Sequence, residues 1–493
     1  MITLEIKNIE TDIRHDMSEA QFHAEFLELR KNLRFRPEGY LFSPQFRKKR
    51  WDGWKCLAWK NKSRCYFPTG LFSIVKDYFK EKEIPFQIID KREKPNSNFC
   101  LEFNQDYKLR DYQQRALDAA VSRGRGIIHS STGSGKTIIG SGIIHALGVS
   151  PFLFLVTSID LLEQTKERLE DSLLQNGSPL QVGSVGGGNF DIRDINVMTV
   201  QTAVRALGKK FVRFDMESKL DTPNEVLLKE HRKEIVSLLH ATRAVISDEI
   251  QHWRSDICQI VMNDLKKAYY RYGLSATPFR DQGDDLLIQA CFGKKICEIS
   301  ASELIQKGFL VQPTINFIHL NPPVSKYKNW QSIYKNQIVE NDYYNNFLAN
   351  LAEEYIKNES LVLVLVQQIE HGKLLEDLIS GSLFVYGNSP KKERLSAIKK
   401  LKNRYIKCII STSLFDEGID CKPLDVLILG GGGKSPSRAM QRVGRVLRPF
   451  EGKEFATVID PFVHEKYLEE HANSREKMYK TEKEFIIKHH FPE

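Results

Sequence analysis

Two regions of the chain alternate short apolar runs with amphipathic segments, and this alternation is the main indication of the fold. In the first region, the runs that predict strands are GIIHS (126–130), FLFLVT (152–157), INVMTV (195–200), RAVISDE (243–249) and RYGLSAT (271–277). In the second region they are LVLVLVQ (361–367), LFVYG (383–387), KCIISTS (407–413), DVLILGG (425–431) and FATVIDP (455–461). Such runs are typical of parallel strands covered by helices on both faces. The sequence therefore predicts an α/β protein with two tandem parallel-sheet lobes.

A small α+β module is predicted ahead of these lobes. Ser18-Glu-Ala-Gln is a capping-box pattern at the start of a helix, and WKCLAW and RCYF, on either side of a polar turn, predict a hairpin. The polar segment 91–98 is typical of a linker, and segment 308–323 is interpreted as a connection. The predicted parts are the module (1–100), the first lobe (101–312), the second lobe (313–462) and a charged tail interpreted as a solvated helix (463–493).

The composition is that of a globular chain working in a reducing compartment. Of its 493 residues, 41% are hydrophobic and 27% are charged. The N-terminus lacks the pattern of a secretory signal, and no apolar run is long enough to span a bilayer. The eight cysteines include no C-x-x-C pair, which argues against a zinc site or a disulfide framework. We expect a cytoplasmic protein, of a bacterium or a phage-infected host, that does not bind membranes.

Positive charge is concentrated in one segment. The net charge is +9, but residues 30–64 alone contain twelve Lys or Arg and two acids, a local balance of +10. The run Arg47, Lys48, Lys49, Arg50 is followed by Trp51, so phosphate contacts and base stacking are both available there. The alternative is that the tryptophans form the core of the small module, which we favour for Trp54 and Trp59.

A glycine-rich loop follows the first predicted strand of the first lobe. Residues 130–137 read SSTGSGKT and open the amphipathic segment TIIGSGIIHAL. In a strand–loop–helix unit of this kind, backbone N–H groups and the helix N-terminus bind phosphate, Lys136 reaches the β- and γ-phosphates, and Thr137 offers a hydroxyl to Mg²⁺. The predicted cradle comprises Thr132, Gly133, Ser134, Gly135, Lys136 and Thr137.

Two adjacent carboxylates end the predicted strand RAVISDE. Taken alone, Asp248 and Glu249 are a solvated turn more often than a site. A phosphate loop in the same sheet changes this balance, because such sites pair the loop with an acid at the end of another strand. We therefore predict that Asp248 holds the metal and that Glu249 orients the attacking water.

At this point the sequence resembles the superfamily-two helicases, and the likeness extends over both lobes. LRDYQ (109–113) resembles their adenine-reading motif, which assigns Arg110 and Gln113 to the nucleotide. The segments 157–164 and 199–202 resemble motifs that contact the nucleic-acid strand, which assigns Thr157, Gln164, Gln201 and Thr202 to that contact. The motif Ser275-Ala-Thr277 resembles the one that couples hydrolysis to strand movement.

The second lobe supplies the remaining motifs of the resemblance. VQQIEHGKLLEDL (366–378) resembles motif four. Residues 411–420 resemble motif five, which places Thr412 at the nucleic acid and Gly418 and Asp420 at ATP. QRVGRVLR (441–448) resembles motif six, whose spacing puts Gln441, Arg445 and Arg448 on one helical face, where arginines can neutralise the γ-phosphate. The resemblance implies two RecA-like lobes with ATP and Mg²⁺ bound between them.

One position departs from the family pattern. Gln251 stands where the family usually has histidine or aspartate. That residue bridges to the Ser-Ala-Thr motif, so coupling, and not hydrolysis, is the step the departure affects. A glutamine amide still donates and accepts hydrogen bonds, so an active enzyme is expected.

The N-terminal segment EGYLFSPQFRKKRWDG (38–53) resembles the nucleic-acid-binding domain of the phage UvsW-type branch-migration helicases, which are related to XPB- and RecG-like enzymes. The resemblance implies an ATP-driven helicase on branched DNA, in recombination and repair, moving 3′ to 5′, and we expect a monomer. The alternatives are a restriction-system motor subunit or an RNA helicase, since contacts with the backbone do not separate DNA from RNA. A catalytically dead binding scaffold would require loss of the ATP-site residues, and all of them are present.

Overall fold

The computed structural model describes the chain except residues 38, 62–63, 98, 209–221, 254, 278–284, 324, 388, 413–421 and 492–493. Its contacts define two units. The N-terminal unit comprises residues 1–130 and 135–298, and the C-terminal unit comprises residues 131–134 and 299–493. None of the described helices combines the length and the apolar character needed to cross a lipid bilayer.

A small α+β module opens the N-terminal unit. Its strands are β1 (Ile2–Ile6), β2 (Glu10–His15), β3 (Arg34–Phe35), β4 (Lys55–Cys56), β5 (Trp59–Asn61), β6 (Arg64–Pro68) and β7 (Phe86–Asp90). Its helices are α1 (Glu19–Asn32), α2 (Pro44–Arg47) and α3 (Phe72–Glu81). Five strands form one sheet in the order β5-β6-β2-β1-β7, and Ser18 caps α1 as its sequence predicts. The predicted hairpin is present as the antiparallel pair β5 and β6.

The first lobe contains a large, mainly parallel sheet. The strands are β8 (Glu102–Phe103), β9 (Arg125–Ser130), β10 (Phe152–Val156), β11 (Leu173–Gln175), β12 (Ser178–Pro179), β13 (Gly183–Gly186), β14 (Asn189–Asp191), β15 (Ile195–Thr199), β16 (Ala244–Ser247), β17 (Tyr270–Ser275) and β18 (Lys295–Ile299). The helices are α4 (Asp111–Arg123), α5 (Lys136–Leu147), α6 (Ile159–Ser172), α7 (Val200–Ala206), α8 (Thr222–Ala241), α9 (Ser255–Asp264) and α10 (Asp285–Phe292). Eight of these strands form the large sheet, in the order β14-β13-β15-β10-β16-β17-β9-β18, and β8, β11 and β12 form a separate three-stranded sheet.

This strand order places the candidate site. Strands β16, β17 and β9 are neighbours and run parallel, so their carboxyl ends lie at one edge of the sheet. The phosphate loop follows β9, the acidic pair follows β16, and Ala276-Thr277 follows β17. Every residue of β16 and β17 is buried, as expected for strands covered on both faces.

The C-terminal unit contains a second, seven-stranded sheet. Its strands are β19 (Pro313–Leu320), β20 (Val362–Leu365), β21 (Ser382–Val385), β22 (Cys408–Ser411), β23 (Val426–Ile428), β24 (Ala456–Val463) and β25 (Ile486–His490), in the order β21-β22-β20-β23-β24-β19-β25. Its helices are α11 (Ala301–Gln306), α12 (Trp330–Tyr334), α13 (Asp342–Lys357), α14 (Ile369–Leu378), α15 (Lys391–Lys402), α16 (Pro436–Val446) and α17 (Leu468–Tyr479). Two tandem RecA-like parallel-sheet lobes, preceded by a small α+β module, are confirmed.

Two interpretations of individual segments were wrong. The segment 308–323, interpreted as a connection, contains β19, which pairs in parallel with both β24 and β25. The charged tail is not a solvated helix. It forms α17 and the edge strand β25, and the buried guanidinium of Arg475 in α17 pairs with Asp460 of β24 at 2.6 Å. High local charge hid this role, because a buried ion pair gives no apolar signal in the sequence.

Candidate functional site

The loop between β9 and α5 has the backbone of a phosphate cradle. Gly133 and Gly135 have φ angles of +89° and +80°, in the left-handed region that favours glycine. Helix α5 begins at Lys136, directly after the second of these glycines. The backbone N–H groups of its first turn therefore face the loop and have no partner within the helix. This geometry suits an anion at the helix N-terminus.

The tip of the loop belongs by its contacts to the C-terminal unit. A methyl group on Gly133 would lie 3.0 Å from Cδ2 of Leu310 and 3.9 Å from Cγ of Arg448. A methyl group on Gly444 of α16 would lie 2.6 Å from Cβ of Thr132. Close packing therefore holds the loop tip to residues of motif six and leaves room only for glycine at position 444.

The acidic pair lies beside the loop and is coupled to its lysine. Glu249 forms an ion pair with Lys136, and its backbone N–H donates to Oδ1 of Asp248 at 2.9 Å. The φ angle of Glu249 is +48°, an uncommon conformation for a residue other than glycine, which points to a constrained turn at a functional position. Burial, and then the neighbouring Glu249 charge, raise the pKa of Asp248 to about 6.

These residues fit a divalent cation together with a nucleotide. The buried Asp248 carboxylate and the Thr137 hydroxyl at the start of α5 supply the hard oxygen ligands that Mg²⁺ prefers. No group of three or more His, Cys, Asp or Glu in the described part of the chain could hold a metal ion. The bound nucleotide would therefore have to supply oxygens as well, and the cation would offset the charge that raises the pKa of Asp248.

A chain of hydrogen bonds continues from the acidic pair to the next strand. Nε2 of Gln251 donates to the Glu249 carboxylate, and the Ser275 hydroxyl donates to Oε1 of Gln251. The Thr277 N–H donates to the Ser275 hydroxyl at 3.2 Å. The three residues predicted to couple hydrolysis to movement, Gln251, Ser275 and Thr277, thus lie together. Glutamine at position 251 spans the gap between Glu249 and Ser275.

Gln113 lies next to the phosphate loop. Its Oε1 accepts a hydrogen bond from the Arg110 N–H at 3.0 Å, and Arg110 donates to the Tyr112 hydroxyl, also at 3.0 Å. A methyl group on Gly135 would lie 2.7 Å from Nε2 of Gln113. The predicted adenine-reading residues therefore lie where the loop enters α5.

Motif six is only partly helical. Helix α16 ends at Val446, so Gln441 and Arg445 lie on it but Arg448 lies beyond its end. The expectation that all three share one helical face was therefore wrong for Arg448, although its Cγ still lies near the loop tip, as described above. Gly418 and Asp420, also assigned to ATP, fall outside the described residues.

The predicted strand-contacting residues divide into two kinds. Nε2 of Gln201 donates to the backbone oxygen of Thr157 at 2.6 Å, which joins the two motifs of the first lobe, and Gln164 is exposed on α6. Thr202 and Thr412 are buried. Thr199 caps the start of α7 by accepting from the Thr202 N–H, and the Thr202 hydroxyl lies 2.8 Å from the Thr199 hydroxyl, so the Thr202 side chain is part of this local cap.

The basic run of the N-terminal module is exposed. Arg47, Lys48, Lys49 and Arg50 all face solvent, and Trp51 is half-buried. Trp54, favoured as a core residue, is only half-buried, and the guanidinium carbons of Arg34 and Arg36 lie 4.3 and 4.6 Å from its ring centroid. Trp59 is exposed on β5, contrary to the core position favoured above, because it stands on an edge strand.

Sequence reasoning missed two apolar residues beside this run. Leu41 and Phe42 are 54% and 72% exposed. They lie in a one-turn 3₁₀ helix, Tyr40–Phe42. The sequence does carry a signal for this turn, because Gly39 is followed by an apolar stretch and then by Ser-Pro.

Comparison with known families divides the chain as the fold does. Residues 106–280 match the family described as “Type III restriction enzyme, res subunit”, and residues 345–449 match the “Helicase conserved C-terminal domain”. The first match contains the phosphate loop, the acidic pair and the Ser-Ala-Thr motif. The second contains motifs four to six.

Curated relatives agree with these matches. The chain is 28% identical to “Putative helicase 22” of Sulfolobus islandicus filamentous virus, over 72% of this chain and 64% of that protein. It is 25% identical to “DNA 3'-5' translocase XPB2” of Sulfurisphaera tokodaii, over 80% of this chain and 90% of that protein. It is also 25% identical to “ATP-dependent DNA helicase uvsW” of Enterobacteria phage T4, over 96% of each chain. With matches to both helicase domains in order on two RecA-like lobes, the chain resembles the superfamily-two helicases and, among them, the UvsW and XPB types.

Proposed function

We propose that this chain uses ATP hydrolysis to move along DNA and to remodel branched DNA, such as forks, junctions and R-loops, in recombination and repair. The observation that carries the ATPase part is the path from Lys136 through Glu249 and Gln251 to Ser275. This path joins the phosphate loop to the neighbouring strand, so a change at the phosphate site alters the hydrogen bonds that hold Ser275 and Thr277.

The ion pair between Lys136 and Glu249 suggests how the site is held ready. In this ion pair, the two side chains neutralise each other. When phosphate enters the cradle, Lys136 exchanges the Glu249 carboxylate for phosphate oxygens, and Glu249 becomes able to accept a proton from the attacking water. Arg445 and Arg448 would neutralise the charge that develops on the γ-phosphate. Thr137 and Asp248 would hold Mg²⁺, which would supply further charge neutralisation there.

DNA is the favoured polymer because two relatives that align with most of this chain are named as DNA enzymes. The name of the XPB2 relative also supports movement from 3′ to 5′. The exposed basic run of the N-terminal module supplies backbone contacts whose strength does not depend on sequence. The proposal includes action as a monomer in the cytoplasm, a setting that the prokaryotic and phage relatives fit.

The test is the ATPase rate without nucleic acid and with single-stranded DNA, linear duplex, a four-way junction and RNA, at fixed salt. Stimulation by the junction above the other ligands supports the proposal. Glu249→Gln should lower the ATPase turnover by about 10²–10⁴-fold while ATP still binds. Lys136→Ala serves as the inactive control. Equal stimulation by duplex and junction would leave a general translocase. Stimulation by RNA alone would favour an RNA helicase.

A motor subunit of a restriction system is the second candidate, because the matched N-terminal family is described as a restriction-enzyme subunit. In that case, the chain would translocate on linear duplex and would show no preference for a branch. The same set of substrates therefore separates the two functions.

A further inference from the structure

The exposed turn of the N-terminal module borders a hollow that no motif above explains. Its volume is about 590 Å³, within the usual range of small-molecule sites. Leu41, Phe46 and Trp51 give it apolar walls, and Arg47, Lys49 and Arg50 give it a cationic rim. Among the described residues that line it, Asp52 is the one acid, and its carboxylate accepts a hydrogen bond from the Trp54 N–H at 3.0 Å.

The walls of the hollow are held in place by local contacts. The ring of Tyr40 packs edge-on against Phe46 at 5.0 Å, and a methyl group on Gly53 would lie 2.6 Å from that tyrosine ring. The Trp51 indole N–H donates to the backbone oxygen of Trp54 at 2.7 Å. The hydrogen-bonding end of the Trp51 ring is therefore occupied within the module, and the hollow is preformed.

The chemistry of the hollow identifies its occupant. A flat aromatic group suits the apolar walls, and an anion on either side of that group suits the rim. Among the ligands of a chain with a local charge of +10 in this segment, an unpaired nucleobase with its two flanking phosphates combines both properties. A paired base does not fit, because its faces are covered within the duplex stack.

We propose that this hollow binds one unpaired base at the branch point of DNA, stacked against Leu41 and Trp51, with Arg47 and Arg50 on its flanking phosphates. The proposal rests on the proposed function and adds to it the feature by which a branch is distinguished from continuous duplex. A base leaves the stack most easily where strands separate, so the site selects branched over linear substrates.

The test uses the full chain and two forked DNAs at fixed salt. One carries a single unpaired thymidine at the branch, and the other carries an abasic residue there, which keeps the phosphates and removes the base. Wild type should bind the first DNA about tenfold more tightly than the second. Leu41→Ala, a change at an exposed position, should abolish this difference. Equal affinity of the wild type for the two DNAs would overturn the proposal.

Neighbouring cations provide a matched pair of variants. Arg47 lines the hollow, whereas the adjacent and equally exposed Lys48 does not. Arg47→Gln should weaken binding of the fork with the unpaired base by about fivefold more than Lys48→Gln does, although each removes one charge. Equal losses of affinity in the two variants would mean that the basic run makes only general phosphate contacts, and the assignment of Arg47 to the hollow would be wrong.

Further outcomes separate this proposal from the proposed function and from a protein-docking surface. If the junction stimulates the ATPase but binding does not depend on the base, the proposal that the hollow binds a base is wrong and the proposed helicase function stands. If binding depends on the base but the junction does not stimulate the ATPase, the base-binding proposal stands and the proposed function is wrong. If wild type is a dimer in analytical ultracentrifugation and Leu41→Ala makes it a monomer without changing the base preference, the hollow is an interface between copies.

Discussion

The hydroxyl group of Ser275 donates a hydrogen bond to the side-chain carbonyl oxygen of Gln251. Because the amide nitrogen of Gln251 donates to Glu249, one side chain joins the acid beside the phosphate loop to the strand that follows it in the sheet. Histidine or aspartate usually stands at this position in the family, and glutamine provides the same link with one donor and one acceptor. The departure from the family pattern therefore preserves the contact.

Replacing Gln251 with leucine should uncouple hydrolysis from movement. Leucine has a similar size but neither donates nor accepts, so Ser275 and Glu249 each lose a partner, at a cost of about 1–3 kcal/mol. We expect unwinding to fall by roughly 5–150-fold, with a smaller loss of basal ATPase. Gln251→His is the matched control and should retain most unwinding. Parallel loss of both activities in Gln251→Leu would contradict a role in coupling.

Replacing Gly70 with alanine should disturb the packing of the N-terminal module against α10 of the first lobe. The added methyl group would lie 2.1 Å from the backbone oxygen of Gln289 in α10, and this helix also contributes Leu287 and Ala290 to the module's core. We expect the free energy of unfolding, measured in urea, to fall by about 1–3 kcal/mol, and junction stimulation of the ATPase to fall with it.

The control for this change is Gly387→Ala. Apart from its neighbours along the chain, no heavy atom of the described residues would lie within 4 Å of its added methyl group, and its φ is not positive. Its stability should change by less than about 0.5 kcal/mol. Equal effects of the two alanines would show that Gly70 owes its importance to something other than its contact with α10.

Acid should destabilise the C-terminal unit through His371. This side chain is fully buried, its Nε2 lies 2.8 Å from Oδ1 of Asn345, and burial lowers its pKa to about 4. The unfolded chain, with a histidine pKa of about 6.5, binds the proton more readily than the folded one. The contribution of His371 is therefore complete above about pH 6.5, and on the order of 3 kcal/mol is lost as pH falls towards 4.

The measurement is urea unfolding of wild type and His371→Gln between pH 4 and 7.5, comparing the difference between them at each pH. Glutamine can still donate to Asn345 but does not ionise in this range. The difference in stability should therefore shrink as pH falls. A difference that stays constant with pH would mean that His371 does not carry this part of the acid sensitivity.

Breaking the ion pair between Arg475 and Asp460 should be costly. Both side chains are buried, and Asp460 accepts at 2.6 and 2.8 Å from Arg475, whose pKa is raised by the carboxylate. Asp460→Asn leaves a buried cation without its counter-charge and should cost about 3–5 kcal/mol. The double variant Asp460→Leu, Arg475→Met should be less destabilised, because no charge remains buried. A double variant at least as unstable as Asp460→Asn would contradict this account.

Much of the candidate site was predictable because its signals are local. The loop SSTGSGKT needs its glycines, its lysine and the start of a helix within eight residues, and the acids at 248 and 249 directly follow an apolar run. In a parallel sheet, carboxyl ends of strands share an edge, so finding both motifs in one alternating region was enough to predict that they meet. The bridging position of Gln251 followed from the resemblance.

Other features depended on contacts between residues distant in sequence. The tail has the composition of a solvated helix, yet Arg475 is buried by a partner fifteen positions away, and β25 completes a sheet begun at β19. Similarly, the exposure of Trp59 reflects the position of β5 at the edge of its sheet, which residue type does not reveal.

The sequence by itself determined the fold class and located the glycine-rich loop and the acidic pair, because the spacing of apolar residues and the turns at glycines are set over a few residues. Only the tertiary structure decided which charges are buried, which aromatic residues face solvent, and that Leu41, Trp51 and three of the four cations of the basic run border an open hollow. The physical reason is that burial and cavity shape are properties of the packed chain. They depend on neighbours that the fold brings together and not on the local pattern of residues.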